Sequence, residues 1–153
     1  MNAGAAGAEP IAIASDHAGF ELKSVLIEEL ARLGFAPIDL GTIDLKSVDY
    51  PDYADRLAAA LADGRAARGV LVCGTGIGIS IAANRHRHVR AAVCHDTTSA
   101  RLTREHNDAN VLVLGARLIG LEVAKDCLQV FMTTGFAGGR HAARVGKLGA
   151  RAI

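Results

Sequence analysis

The sequence predicts a single-domain α/β protein, built on an open, parallel sheet of five strands with helices on both faces. Three observations support this prediction. The chain has 153 residues, half of them apolar, which suits one domain with a sizeable core. Short apolar segments alternate with segments of helical periodicity, and parallel strands need such crossovers. Several strand segments are almost wholly apolar, as burial on both faces requires.

The predicted elements follow one another with short links. The first helix, Phe20–Gly34, has apolar residues at helical spacing and a glycine where helices commonly end. Pro51 suits the first turn of the second helix, because proline lacks the N–H that this turn leaves unpaired. The predicted strands are 11–15, 36–41, 69–73, 90–95 and 110–115, and the predicted helices are 20–34, 51–64, 79–86, 97–107 and 120–135.

Reactive side chains follow several of the predicted strands. Asp16 follows the first strand, Cys73 ends the third, and His95 and Asp96 follow the fourth. Ligands of open, Rossmann-like sheets bind beyond the carboxyl ends of the strands. The sequence therefore predicts that these side chains share one ligand site.

Composition excludes several classes of function. The net charge of +1 gives no support for a nucleic-acid partner. No signal peptide or membrane-spanning run is recognisable, so we expect a cytoplasmic protein. The three cysteines form no C-x-x-C pair and lie in apolar segments, which predicts free thiols, with neither disulfide nor metal site. We expect residues 1–9 to be a flexible leader to a domain spanning 10–153, with a basic tail from about 138.

Three glycines follow Cys73 in the segment "VLVCGTGIGISIAA". A phosphate-binding P-loop would need a lysine that this loop lacks, and Ile79 stands where a dinucleotide-binding motif would place its third glycine. The loop does offer a row of backbone N–H groups at the start of a helix, which favours an anion site. A tight turn without a ligand is the alternative.

The remaining candidates each allow two interpretations. Cys73 suits a base or nucleophile beside backbone amides, although a cysteine at a strand end is as often a packing residue. His17 and His106 suit proton transfer or phosphate contact, or else are capping or surface residues. Arg140 and Arg144 share one face if the tail is helical and then suit a phosphate dianion; otherwise the tail is frayed. Together these parts suit proton transfer next to the carbonyl of a small phosphorylated substrate.

Five segments, in register from about residue 10 to 146, carry a more specific signal: "SDHAGFELK", "DYPDYA", "GVLVCGTGIGISIAANR", "REHNDANVLVLGAR" and "GGRHAARV". Together they resemble the RpiB/LacAB family of sugar-phosphate isomerases, in its ribose-5-phosphate isomerase B type. The resemblance implies interconversion of ribose 5-phosphate and ribulose 5-phosphate through a cis-enediolate, without a metal or other cofactor. One branch of the family has a glutamate where this chain has Ile79, which places the chain in the cysteine branch.

The resemblance also implies roles for individual residues. Cys73 would move the proton between C2 and C1, His106 would open the sugar ring, and Asp16 would assist ring opening or place a hydroxyl. Thr75 and the amides of Gly74, Gly76, Ile77 and Gly78 would hold the enediolate oxygens. His17, Arg140 and Arg144 would bind phosphate, and Asn107 the sugar hydroxyls. Tyr50 would lie near the substrate, and Arg117 would reach the phosphate, usually across a dimer interface.

The family further implies a homodimer or a dimer of dimers whose active site is shared between subunits. Allose 6-phosphate, galactose 6-phosphate or a tetrose phosphate are alternative substrates, since the sequence does not measure the pocket. A binding protein for sugar phosphates or nucleotides, without catalysis, is the alternative from another class.

Overall fold

The computed structural model describes residues 7–150 and consists of five parallel strands and six helices within that range. The predicted fold class is confirmed. None of the helices in these residues is long and apolar enough to cross a membrane. The strands are β1 (Pro10–Ser15), β2 (Ala36–Asp39), β3 (Arg68–Cys73), β4 (Ala91–Val93) and β5 (Val111–Gly115); the helices are α1 (Phe20–Arg32), α2 (Tyr50–Ala62), α3 (Ile77–Ala83), α4 (Thr97–Asn107), α5 (Leu121–Thr133) and α6 (Arg140–Ala150).

The strands lie in the order β2-β1-β3-β5-β4. The chain therefore turns to one side of β1 to form β2 and to the other side to form β3. Such a reversal separates the connecting helices above the carboxyl ends of β1 and β3 and leaves a crevice there. The residues that follow β1 and β3 consequently face the same crevice.

Alternate residues of the strands pack into two separate core layers. Ile13 and Val72 face one layer, which is shared with α1, α4 and α5, whereas Ala14 and Leu71 face the other, shared with α2 and α3. Cys73 belongs to this second layer, and its side chain is 4% exposed. Helices thus cover both faces, and the period of two along a strand decides which way each side chain points.

The C-terminal tail is the element whose conformation the sequence leaves open. Arg140–Ala150 forms α6, which places Arg140 and Arg144 one turn apart, and α6 contributes no buried residue. Gly138 and Gly139 precede α6, and both have positive φ. Residues 151–153 of the predicted basic tail lie outside the described residues.

The predicted leader is described only from residue 7 onward, and residues 1–6 lie outside the described range. Glu9 accepts two hydrogen bonds from Arg68, at 2.9 and 2.7 Å, and its carbonyl accepts one from the backbone N–H of Ala36. This ion pair joins the amino ends of β1 and β3, at the opposite end of the sheet from the crevice.

Candidate active site

A cleft of about 230 Å³ lies at the carboxyl ends of β1 and β3. It opens between the loop that follows β1 and the glycine loop that follows β3. Its lining residues are Asp16, His17, Ala18, Tyr50, Cys73, Gly74, Thr75, Gly78 and Arg117. Eight of these nine residues are ones that the sequence singles out, so the fold gathers candidates as far apart in the chain as Asp16 and Arg117.

Cys73 is held at the lip of the glycine loop by a hydrogen bond to its sulfur. The backbone N–H of Gly76 donates to Sγ at 3.1 Å. Gly76 lies just before α3 with φ of +76°, a left-handed conformation that turns this N–H back toward the thiol and that favours glycine. An amide dipole directed at sulfur stabilises the thiolate, the form that accepts a proton.

Thr75 and the next amides complete the turn into α3. The Thr75 hydroxyl accepts a hydrogen bond from the N–H of Ile77 at 3.2 Å. Gly76 and Ile77 are not among the residues that line the cleft, and Ile77 is 54% exposed. Gly78 packs so tightly that an added Cβ would come within 2.5 Å of the Tyr50 ring. Tyr50 therefore closes one side of the cleft directly over the loop.

Arg117 lies beside the glycine loop of its own chain. Its backbone N–H donates to the carbonyl of Gly74 at 2.9 Å, and a Cβ added to Gly74 would lie 3.3 Å from the guanidinium. The family resemblance implies an arginine that reaches across a dimer interface, whereas here the guanidinium is already in contact with the cleft of the same subunit. A cation is thus present within each Cys73 cleft.

Asp16 and His17 are fixed by the backbone around them. The N–H of Gly19 donates to the Asp16 carboxylate at 3.1 Å, at the start of α1. The N–H of Val48 donates to Nδ1 of His17 at 3.2 Å. Since a backbone N–H can only donate, Nδ1 is the acceptor, and a neutral His17 carries its proton on Nε2.

A second cleft of about 300 Å³ lies between α4 and α6, and three further predicted site residues line it: His106, Asn107 and Arg144. His106 and Asn107 end α4, and Arg144 faces them from α6. Arg140 begins α6 and is exposed. No residue of this cleft also lines the Cys73 cleft. One chain therefore presents two separate groups of candidates.

His141 lies in the second cleft and is a residue that the sequence did not single out as a site residue. Its ring stacks on that of His106 with the centroids 4.4 Å apart and the planes 15° from parallel. Desolvation at this contact, with the positive charges of His106, Arg140 and Arg144, lowers the pKa of His141 below its usual 6.5. Its position between the two arginines in "GGRHAAR" is the signal that could have found it.

His95 and Asp96 do not join either cleft, which corrects the sequence-based expectation that they share the site of Asp16 and Cys73. The strand order explains the difference, because β4 lies at the edge of the sheet with β5 between it and β3. Asp96 instead caps α4, accepting a hydrogen bond from the N–H of Ser99 at 2.7 Å.

The two other cysteines lie away from both clefts. Burial raises the pKa of Cys94 and of Cys127 to about 11, so both remain protonated at neutral pH. Among residues 7–150, no group of three or more His, Cys, Asp or Glu side chains is arranged to hold a metal ion. The chemistry that the described residues offer is proton transfer at Cys73, with amide donors and cations for a negatively charged substrate.

A Rossmann-like α/β fold that carries a thiol, backbone amides and cations in a strand-end cleft defines a class of enzymes that move protons on small anionic substrates. The chain belongs to the ribose/galactose isomerase family, whose model matches residues 11–148. It is 47% identical to ribose-5-phosphate isomerase B of Escherichia coli over 135 residues, which cover 88% of this chain and 91% of that protein.

Structural comparison agrees with the sequence comparison. The crystal structure of a ribose 5-phosphate isomerase from Thermotoga maritima has a TM-score of 0.91 and 49% identity, covering 94% of this chain and 99% of that one. The chain is also 43% identical to D-erythrulose-4-phosphate isomerase of Pectobacterium atrosepticum, over 91% of this chain and 92% of that protein. The family identified from the five sequence segments is thereby confirmed.

Proposed function

We propose that this protein interconverts D-ribose 5-phosphate and D-ribulose 5-phosphate. The observation that carries the proposal is the position of the Cys73 sulfur, 3.1 Å from the Gly76 amide in a cleft that Asp16, His17 and Arg117 also line. An aldose–ketose isomerase needs a base for one carbon-bound proton, donors for two oxygens and a cationic phosphate site. The relatives that bear the name ribose-5-phosphate isomerase B add support for a five-carbon substrate.

Cys73 is the proposed proton carrier. As the thiolate it removes the proton from C2 of the open-chain aldose, which leaves an enediolate, and it returns that proton to C1 while the hydroxyl proton of O2 passes to O1 to give the ketose. The amides from Gly74 to Gly78, with the hydroxyl of Thr75, stabilise the enediolate oxygens. Their negative charge develops only along the reaction, so these donors lower the barrier more than they strengthen substrate binding.

His106 is the proposed acid for ring opening, since sugar phosphates of this size are largely cyclic. It donates a proton to the ring oxygen as the ring opens, while Asp16 accepts the hydroxyl proton or orients that hydroxyl. Asn107 binds sugar hydroxyls, and Tyr50 borders the substrate. His17, Arg117, Arg140 and Arg144 bind the phosphate, with the guanidinium groups supplying paired donors for its oxygens.

We further propose that two copies of the chain assemble so that the Cys73 cleft of one subunit meets the His106 cleft of its partner. The proposed roles need both groups at one substrate, and one chain keeps them apart. Exposed Ile77 and Ile81 on α3, beside the glycine loop, and Leu148 on α6 offer apolar surface for such contact. A homodimer or a dimer of dimers satisfies this arrangement. The proposed enzyme works in the cytoplasm, without a metal ion or other cofactor, as one domain following a short leader.

Another sugar phosphate is the second candidate, because a relative that matches over most of both chains is a D-erythrulose-4-phosphate isomerase. A side-by-side assay with four-, five- and six-carbon sugar phosphates tests the choice. We expect the highest kcat/KM with ribose 5-phosphate. A higher value with a tetrose or hexose phosphate would show that the enzyme prefers that sugar phosphate as its substrate.

Solvent exchange separates an isomerase from a binding protein. In deuterated water we expect deuterium at C2 or C1 of the sugar phosphate, since a thiol that carries the proton exchanges it with solvent. Binding of the sugar phosphate without any incorporated deuterium and without ketose formation would favour the non-catalytic alternative.

A further inference from the structure

Lys23 is a charged residue in the interior of the fold. Its side chain on α1 is 1% exposed, and its Nζ lies 2.6 Å from the carboxylate of Asp39 at the end of β2. The ring of Phe20, with its centroid 5.4 Å away, covers the ammonium group. Burying an ammonium group is costly unless a partner compensates the charge. The ion pair with Asp39 supplies that compensation, but it does not explain why a lysine occupies this buried position.

The same carboxylate oxygen also holds the loop that follows β2. The backbone N–H of Gly41 donates to Oδ1 of Asp39 at 2.9 Å. Gly41 in turn accepts a hydrogen bond from the N–H of Ser15 at 2.8 Å, and the N–H of Thr42 donates to the carbonyl of Ser15 at 2.9 Å. Both backbone groups of Ser15 are therefore fixed, one by Gly41, which Asp39 anchors, and the other by the next residue, Thr42.

Ser15 is the last residue of β1, directly before the cleft residues Asp16 and His17. The same loop continues to Val48, whose N–H donates to Nδ1 of His17, and then to Tyr50. The loop thus touches the β1 end of the cleft at Ser15 and at His17. Any shift of the loop at Gly41 would move the backbone of Ser15 and so change the orientation of the Asp16 and His17 side chains.

We propose that Lys23 and Asp39 are positioning residues, which orient Asp16 and His17 through the loop from Leu40 to Asp49. The effect of this positioning on catalysis rests on the proposed function, whereas its effect on the orientation of Asp16 and His17 does not. Neither Lys23 nor Asp39 lines the cleft, so both act only through the backbone of Ser15 and the ring of His17.

The Lys23→Met variant tests the proposal. Methionine has similar length and is compatible with burial, so the interior stays filled while Asp39 loses its partner. We expect kcat/KM for ribose 5-phosphate to fall about 10- to 100-fold, because small displacements of side chains that orient a substrate have effects of that size. We also expect a shifted NMR signal from the His17 ring in substrate-free protein, assigned by its loss in His17→Asn.

A matched control is available at the opposite end of the same strands. Arg68→Met removes the ion pair between Arg68 and Glu9. Like the Lys23–Asp39 pair, it joins a basic side chain to a carboxylate, but it lies at the end of the sheet opposite the cleft. We expect this variant to lower thermal stability while leaving kcat/KM and the His17 signal at wild-type values. Lys23→Arg keeps the positive charge, so it should retain most of the kcat/KM that Lys23→Met loses.

Each outcome has a definite meaning. If Lys23→Met loses stability but keeps the wild-type kcat/KM and His17 signal, the pair is structural and the proposal is overturned. Should Lys23→Met fail to fold, Asp39→Asn gives the same readouts, because asparagine keeps an oxygen for Gly41 but no charge for Lys23. If the wild-type protein isomerises no sugar phosphate, the proposed function fails, and the His17 signal alone still decides the positioning role.

Discussion

The two clefts of this chain are built in different ways. The Cys73 cleft lies at strand ends, and backbone hydrogen bonds from the core fix its thiol, its carboxylate and its imidazole. The His106 cleft lies between α4 and α6. Among the described helices α6 packs against α4, and none of its residues is buried. The interior of the fold therefore fixes the first cleft, whereas the second depends on a helix held at the surface.

Their electrostatics differ as well. In the Cys73 cleft an amide dipole is directed at the sulfur, which favours the thiolate that acts as the base. In the His106 cleft desolvation of His141, followed by its electrostatic interaction with His106, Arg140 and Arg144, lowers the pKa of His141. The first arrangement suits proton transfer, and the second suits a phosphate dianion.

Replacing Cys73 with alanine should give the largest loss. Without a proton carrier, we expect kcat for ribose 5-phosphate to fall about 10³- to 10⁴-fold, within the range of general acid–base contributions. Affinity for inorganic phosphate should stay near the wild-type value, since the cations are unchanged. Steady-state assays and phosphate titration measure both quantities.

Cys94→Ala is the matched control, because it removes another buried thiol outside both clefts. We expect near wild-type kcat, with a change in thermal stability alone. Near-normal turnover by Cys73→Ala would remove this residue from the mechanism.

Mixing two inactive variants tests whether the clefts meet across subunits. Cys73→Ala and His106→Gln should each be inactive, but a mixed dimer has one site with both residues intact. After unfolding and refolding together, about half of the dimers are mixed and one of their two sites works, so activity should recover to about a quarter of wild type. No recovery, in a mixture shown by mass spectrometry to contain mixed dimers, would place both residues within one chain's site.

Arg144→Ala should have a smaller effect, confined to binding. Loss of one guanidinium from the proposed phosphate site is expected to raise KM about tenfold with little change in kcat, as for an interaction made equally in ground and transition states. Lys147→Ala, on the same exposed helix, is the control and should leave KM unchanged. An unchanged KM in Arg144→Ala would argue against its phosphate role.

The smallest effect concerns pH. The pKa of His141 lies below the unfolded value of 6.5, so the folded state binds fewer protons than the unfolded state near that pH. Its contribution to stability is present above pH 6.5 and is lost as the pH falls through the lowered pKa. The exchange protection of the α6 amides, measured relative to the intrinsic exchange rate at each pH, should therefore fall between pH 7.5 and pH 5, and less so in His141→Gln. Equal pH profiles for the two proteins would contradict this.

The sequence predicts the sheet and most of the Cys73 cleft because both follow from local patterns. Alternating apolar strands and periodic helices give the parallel sheet, and carboxyl-end side chains at Asp16 and Cys73 mark the crevice. The order of the strands is not encoded locally, so the sequence wrongly groups His95 and Asp96 with them. The edge position of β4 separates them.

Lys23 and His141 escape prediction for a different reason. A lysine on a helix is ordinarily assigned to the solvent side, and only the partner at Asp39, sixteen positions away, explains its burial. His141 acquires its environment from the stacking of α6 on α4, which no pattern within either helix indicates. Contacts between distant segments decide both cases.

The placement of the three thiols also makes the protein chemically selective. Cys94 and Cys127 are buried with pKa values raised to about 11, and they lie outside the Cys73 cleft. Of the three thiols only Cys73 lines the cleft, so a small electrophile that enters the cleft has one target per chain. Labelling should stop at a single adduct, and a bound phosphate ester should protect it, which makes Cys73 an attachment point for covalent inhibitors or spectroscopic probes.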